Sequence, residues 1–126
     1  MTAIDSIAED IAEVEAIVVR ARTAQAAFEA GGSQVLYDRA AQAAAWAIME
    51  PSRNKYLAEL AVETTGLGNV ADKITKNHRK TLGLMRDIAD VTTYGIISDD
   101  AATGITEIAR PIGVIGAVVP STNPGA

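Results

Sequence analysis

The run Val114-Ile115-Gly116-Ala117-Val118-Val119 carries no polar side chain at any position, and no other feature restricts the fold as strongly. A half-exposed strand alternates apolar with polar residues, whereas a strand apolar on both faces reads as one covered from both sides, as in the sheet of an α/β protein. Such a strand needs hydrogen-bonded neighbours along its edges and helices over its faces. Upstream the pattern is mostly helical, and downstream only Pro120-Ser121-Thr122-Asn123-Pro124-Gly125-Ala126 follows. The expectation is an N-terminal piece of a larger α/β protein, with a complete helical protein whose last strand pairs with another subunit as the alternative.

Length and composition narrow what surrounds that strand. The 126 residues suffice for one domain at most, and a chain of this size folding alone would bury roughly two-thirds of its unfolded surface. Hydrophobic residues make up 48% and charged residues 21%, which excludes a disordered or collagen-like chain. Aromatic residues are only 4%, so Ala, Ile, Leu and Val must build the core, a set suited to close helix packing. A formal charge of −5 opposes binding to a polyanion such as duplex DNA. The absence of cysteine removes disulfides, thiolate metal sites and a nucleophilic thiol from these residues. Acidic residues interrupt every candidate signal segment, and no low-charge run reaches the about 20 apolar residues of a membrane helix. A cytoplasmic protein with neither a membrane nor a nucleic-acid partner is expected.

Hydrophobic spacing predicts four helices. Ile4, Ile7, Ile11, Val14 and Val18 recur at intervals of three and four on one stripe, with Asp5, Glu9, Asp10, Glu13 and Glu15 off it. Gly31-Gly32 ends this helix, and Ser33 is a candidate N-cap for the next. The second helix runs to about Met49, presents Leu36, Ala40, Ala43, Ala44, Ala47 and Ile48, and is stopped by Pro51. The third, from about Ser52, carries Leu57, Leu60 and Ala61 on one face and closes at Gly66 and Gly68. Asn69 caps the fourth, Asp72 complements its dipole, and Ile74, His78, Leu82, Met85 and Ile88 form its stripe. Beyond Asp90, β-branched residues predict strands over 94–98 and 105–110, joined as a hairpin by Asp99-Asp100-Ala101-Ala102-Thr103-Gly104.

Three places could carry chemistry. Gly66-Leu67-Gly68-Asn69-Val70-Ala71 matches a dinucleotide fingerprint by letters, but a helix rather than a strand precedes it, so a helix-to-helix turn is the better reading. Lys73, Lys76, Arg79 and Lys80 beside the lone His78 read as a small-anion site or, more simply, as a solvated face with His78 packed on the Ile74 to Leu82 stripe. One histidine assembles no metal site. Pro120-Ser121-Thr122-Asn123-Pro124 follows the buried strand directly, where ligands of open α/β sheets bind. There the Asn123 amide could donate to a developing oxyanion, or close an Asx turn on its own backbone.

These residues also resemble a family. The stretch from Arg110 through Gly113, Gly116 and Val119 to Pro120-Ser121-Thr122-Asn123-Pro124 is similar to the strand and loop that enter the cofactor domain of CoA-acylating aldehyde dehydrogenases, in the aldehyde dehydrogenase superfamily. Glu63-Thr64-Thr65-Gly66-Leu67-Gly68, then Asp72-Lys73 and Lys76-Asn77, resembles the Glu-Thr-Gly-x-Gly and Asp-Lys…Lys-Asn pattern of the same subgroup, in the same order. The resemblance implies an α/β fold in which N-terminal helices (1–90) precede a strand pair of an oligomerisation region (91–112). The first strand of a Rossmann-like cofactor domain (113–126) would follow, left incomplete here. It implies a homo-oligomeric enzyme that oxidises an aldehyde through a cysteine thiohemiacetal, passes hydride to NAD or NADP and releases acyl-CoA to coenzyme A. In that scheme Val119, Pro120, Ser121 and Thr122 line the nicotinamide side and Asn123 is the oxyanion donor. With no cysteine in these residues, the fragment alone would be inactive. A non-enzymatic helical interaction module, its Ala-rich face binding a partner helix, is the alternative.

Overall fold

Capping chemistry sets the helix boundaries. A computed structural model describes residues 3–122, and side-chain surroundings from Ile7 onward. Its elements are α1 (Ala3–Ala30), α2 (Gln34–Met49), α3 (Pro51–Thr65), α4 (Val70–Ile88), β1 (Gly95–Asp100) and β2 (Ile105–Ala109). They fall into two compact units, one made of the chain up to Ser33 with Tyr94–Gly116, the other of Gln34–Thr93 with the residues from Ala117 onward.

In the second unit, Pro51 does more than stop α2. It occupies the first position of α3, where its missing N–H costs nothing, and Glu50 serves as the N-cap. The Glu50 carboxylate accepts hydrogen bonds from the Ser52 amide at 3.1 Å, the Arg53 amide at 2.9 Å and the Ser52 hydroxyl at 2.6 Å. Gly66 closes α3 in the left-handed region, at φ 66, and its amide donates to the Val62 carbonyl at 2.8 Å. Asn69 caps α4 as expected, its Oδ1 accepting from the Asp72 amide at 2.9 Å while its Nδ2 donates to Asp72 Oδ2 at 2.6 Å.

Helix α4 packs against both α2 and α3, and small residues make that approach possible: Ala58 is fully buried and Ala45 nearly so. The buried face of each helix coincides only in part with the stripe that spacing predicts: Leu36, Ala47 and Ile48 of α2, Ala61 of α3, and Ile74, Met85 and Ile88 of α4 are half-buried on it. In α2 it is Ala41, Ala45, Ile48 and Met49 that turn inward, while Ala40, Ala43 and Ala44 are exposed. In α3, Asn54 and Ala58 are buried and Leu57 and Leu60 flank them. In α4, Lys73 and Asn77 are buried, Leu82 is exposed, and His78 is exposed rather than packed on the stripe. The seam between α3 and α4 is therefore polar at its centre. Asn54 Nδ2 donates to the Ile74 carbonyl at 3.0 Å, and Asn77 Nδ2 donates to Asn54 Oδ1 at 3.0 Å. Bonding both amides offsets a desolvation cost of about 1–3 kcal/mol for each group left unpaired.

After α4 the chain is clamped to the start of α2 by one side chain. Gln34 Oε1 accepts from the Thr93 amide at 2.8 Å, and Gln34 Nε2 lies 3.0 Å from Thr93 Oγ1 and 3.3 Å from the Val91 carbonyl.

In the first unit, β1 and β2 pair antiparallel, from Gly95 opposite Ala109 to Asp100 opposite Ile105, with an irregularity between Ile96 and Ser98. The hairpin is the expected one, except that β1 continues through Asp99 and Asp100. The tighter turn forms because Asp100 accepts from the Ala102 amide and the Thr103 hydroxyl, and Gly104 at φ 69 returns its amide to the Asp100 carbonyl at 2.8 Å. These bonds, the Thr103 hydroxyl foremost, hold the Asp100 carboxyl below its usual pKa.

The strand expected over 114–119 is not formed. Residues 110–120 have no regular secondary structure, Val118 is 99% exposed and Ile112 is 88% exposed. A strand exists through its ladder, and β1 and β2 bond only to each other, so this run has no partner edge to join. The stripe of α1 is largely uncovered where described, with Ile7, Ile11 and Val14 exposed and Val18 half-buried. The coarse class is that expected, helices plus a hairpin.

Two measurements probe these interactions. In a double-mutant cycle by chemical denaturation, Asn54→Ala and Asn77→Ala should each cost about 1–3 kcal/mol, and the double variant clearly less than their sum, because each single change strands the other's partner. Three hydrogen bonds, led by that from the Ser52 hydroxyl, hold the Glu50 pKa down to about 2. A carboxyl depressed in the folded state stabilises above its unfolded pKa and loses that contribution as pH falls through the folded one. The stability gap between wild type and Glu50→Gln should therefore be full near neutrality and close as pH drops from the ordinary carboxylate range toward 2.

Candidate functional site

The segment leading out of the apolar run meets both of the other sequence candidates. Thr122 lines a hollow of about 280 Å³ with Leu67, Gly68 and Asn69 of the turn between α3 and α4, and with Asp72, Lys73 and Lys76 of α4. A second hollow, of about 200 Å³, lies on the α3 side of Lys73 and Lys76, walled by Leu57, Leu60, Ala61, Thr64 and Asn77. The turn can pass over the lysine because Gly68 has no side chain and sits at φ 72. A Cβ built there would lie 3.7 Å from the Lys73 Cε, so the lysine stem runs directly beneath the turn.

The basic cluster divides. Lys73 is only 8% exposed and Lys76 is half-buried, whereas His78, Arg79 and Lys80 are exposed. The solvated-face reading holds for the outer residues, and the small-anion reading is left with Lys73 and Lys76. The fingerprint Gly66-Leu67-Gly68-Asn69-Val70-Ala71 is a helix-to-helix turn, with α3 in place of the strand that a dinucleotide site requires. Of the loop residues, Val119, Pro120, Ser121 and Thr122 are exposed, and Asn123 lies outside the described residues. Among the described residues no group of three His, Asp or Glu side chains could hold a metal ion, and no helix is long and apolar enough to cross a membrane.

Spacing did not reveal the burial of Lys73. A lysine four residues after an N-cap looks solvent-facing, and only the glycine-lined turn above it signals room for the stem. Nor did spacing reveal Gln34, whose partners lie far along the chain.

Comparison with known proteins finds dehydrogenases, among them ones named as acylating. Sulfoacetaldehyde dehydrogenase (acylating) of Cupriavidus necator is 64% identical over 113 residues, which cover 90% of this chain and 23% of that protein. Sulfoacetaldehyde dehydrogenase of an Acholeplasma species is 37% identical over 109 residues, 86% of this chain and 22% of that protein. The bifunctional aldehyde-alcohol dehydrogenase AdhE of Escherichia coli K12 is 37% identical over 115 residues, 91% of this chain and 13% of that protein. No family model matches. The chain is a relative of the acylating aldehyde dehydrogenases, and it spans less than a quarter of the length of these relatives.

The geometry of the turn can be tested with two glycines. Gly68→Ala should cost about 1–2 kcal/mol in thermal or chemical denaturation, because its φ is left-handed while its new Cβ meets only an ordinary contact. Gly83→Ala, inside α4 with open space around it, should instead stabilise by about 0.5–1 kcal/mol.

Proposed function

We propose that this sequence is the N-terminal part of an NAD(P)-dependent acylating aldehyde dehydrogenase, which converts an aldehyde, coenzyme A and NAD(P)⁺ into acyl-CoA, NAD(P)H and a proton. The observation that carries the reading is the 64% identity over nine-tenths of the chain to an acylating sulfoacetaldehyde dehydrogenase. The same match makes sulfoacetaldehyde the preferred aldehyde. The uncovered apolar run from Val114 to Val119 supports a place inside a sheet that other residues complete, the first strand of a Rossmann-like domain. On this reading residues 1–90 are the helical segment, 91–112 the strand pair of an oligomerisation region, and 113–126 the start of the cofactor domain. The enzyme is a cytoplasmic homo-oligomer.

The loop after the apolar run has the chemistry such a site asks of it. Prolines at 120 and 124 restrict the backbone, and Ser121 and Thr122 offer hydroxyls beside it. Val119, Pro120, Ser121 and Thr122 would line the nicotinamide side of NAD(P), which when bound would supply the hydride acceptor. Asn123 donates its amide to the oxygen of the reacting aldehyde carbon, stabilising negative charge as it develops, a contribution of about 3–4 kcal/mol for donors of this kind. The attacking thiol must come from residues other than these, since the sequence contains no cysteine.

The test is an assay of a longer protein that carries this sequence within the full length of its relatives. With sulfoacetaldehyde, NAD⁺ and coenzyme A it should form reduced nicotinamide and a thioester together, and Asn123→Ala should lower kcat by about 100-fold or more. The 126 residues alone should give no turnover. A full-length protein inactive on sulfoacetaldehyde and on other short aldehydes would overturn the proposal.

A further inference from the structure

We propose that Lys73 is a positioning residue for the loop over 119–122: its aliphatic stem props the turn between α3 and α4, and that turn sets where the loop lies. The inference rests on the cofactor role proposed for this loop and adds a residue that acts on it from another element.

The path of the chain is the first observation. Residues 113–116 belong with α1 and the hairpin, whereas the chain from Ala117 onward belongs to the compact unit of α2, α3 and α4. The loop therefore takes its place from the helices. Thr122 walls a hollow with Leu67, Gly68 and Asn69 of the turn, and Pro120 limits how far the backbone before it can adjust.

The second observation is what lies under the turn. Lys73 is 8% exposed, and its amide donates to the Asn69 carbonyl at 3.1 Å while its stem passes beneath Gly68. Among the described residues, and apart from the chain neighbours of Gly68, Lys73 Cε is the one atom within 4 Å of a Cβ built there, at 3.7 Å. Lysine packs its methylenes against apolar surroundings and keeps the ammonium toward water, so the stem rather than the charge carries this support. The turn transmits it as one piece, because Gly66 closes α3 and both polar atoms of the Asn69 amide are bonded to Asp72. Lys73 also walls both hollows, of about 280 Å³ and about 200 Å³, so removing the stem joins them and lets the turn settle into the space.

The test compares variants of the longer protein in kinetics and in crystal structures. Lys73→Ala removes the stem, and kcat should fall about 10-fold with KM for NAD⁺ little changed, because misplacement by about 1 Å costs rate rather than affinity. Lys73→Met keeps the stem without the charge and should stay within about twofold of wild type. The exposed Arg79→Ala should have no effect. Without substrate, the loop over 119–122 should shift by about 1 Å in Lys73→Ala and superimpose on wild type in Lys73→Met. If Lys73→Ala does not fold, Leu67→Ala, which opens the same hollow from the exposed side of the turn, should reproduce the kinetic and structural changes. Equal losses in Lys73→Met and Lys73→Ala, a loss confined to KM, an unmoved loop in Lys73→Ala or, where that variant does not fold, a Leu67→Ala protein like wild type would overturn the proposal. A wild-type protein inactive on every aldehyde overturns the functional reading instead, and the crystal structures still decide whether Lys73 supports the loop.

Discussion

The meeting of α3 with α4 depends on a pair of buried amides. Asn77 Nδ2 donates to Asn54 Oδ1 and Asn54 Nδ2 donates to the Ile74 carbonyl, one turn from the fully buried Ala58. An apolar pair there would tolerate several rotations of one helix against the other, whereas an amide pair must align or lose its hydrogen bonds. That alignment fixes which side of α4 is covered, and Lys73, one turn before Asn77, is covered with it. The burial of a lysine beneath a glycine turn follows from the register of the asparagines.

The hollow near Thr122 inherits its shape from this arrangement. Gly66 and Gly68 allow the chain to reverse tightly between helices, and Asn69 restarts the helix immediately, so the turn passes close over the Lys73 stem. The letters that suggested a dinucleotide fingerprint thus mark a polar turn against the loop that follows the apolar run.

Much of this organisation was legible from local rules. Four helices, their order, the Asn69 cap, the Gly66 closure and the hairpin all follow from capping, spacing and turn chemistry, which act within a few residues. The inward faces were legible only in part, because leucines draw a spacing argument while close helix contact selects alanine, and Leu57 and Leu60 settle to the sides. The strand over 114–119 was legible only as a composition. Backbone hydrogen bonds to neighbouring strands make such a run a strand, and the paired β1 and β2 supply none to it.

Sequence by itself determined the class of the protein. The Pro-Ser-Thr-Asn-Pro loop, the Glu-Thr-Thr-Gly-Leu-Gly turn and the Asp-Lys and Lys-Asn pairs mark a relative of the acylating aldehyde dehydrogenases, and the sequence holds no cysteine. Only the tertiary structure decided that Lys73 is buried while Arg79 and Lys80 are solvated, and that Thr122 shares a hollow with the turn after α3. The reason is physical: local rules specify backbone conformation within a turn or two. Burial and proximity depend on how whole helices pack, and here that is set by two amides whose partners lie on different helices.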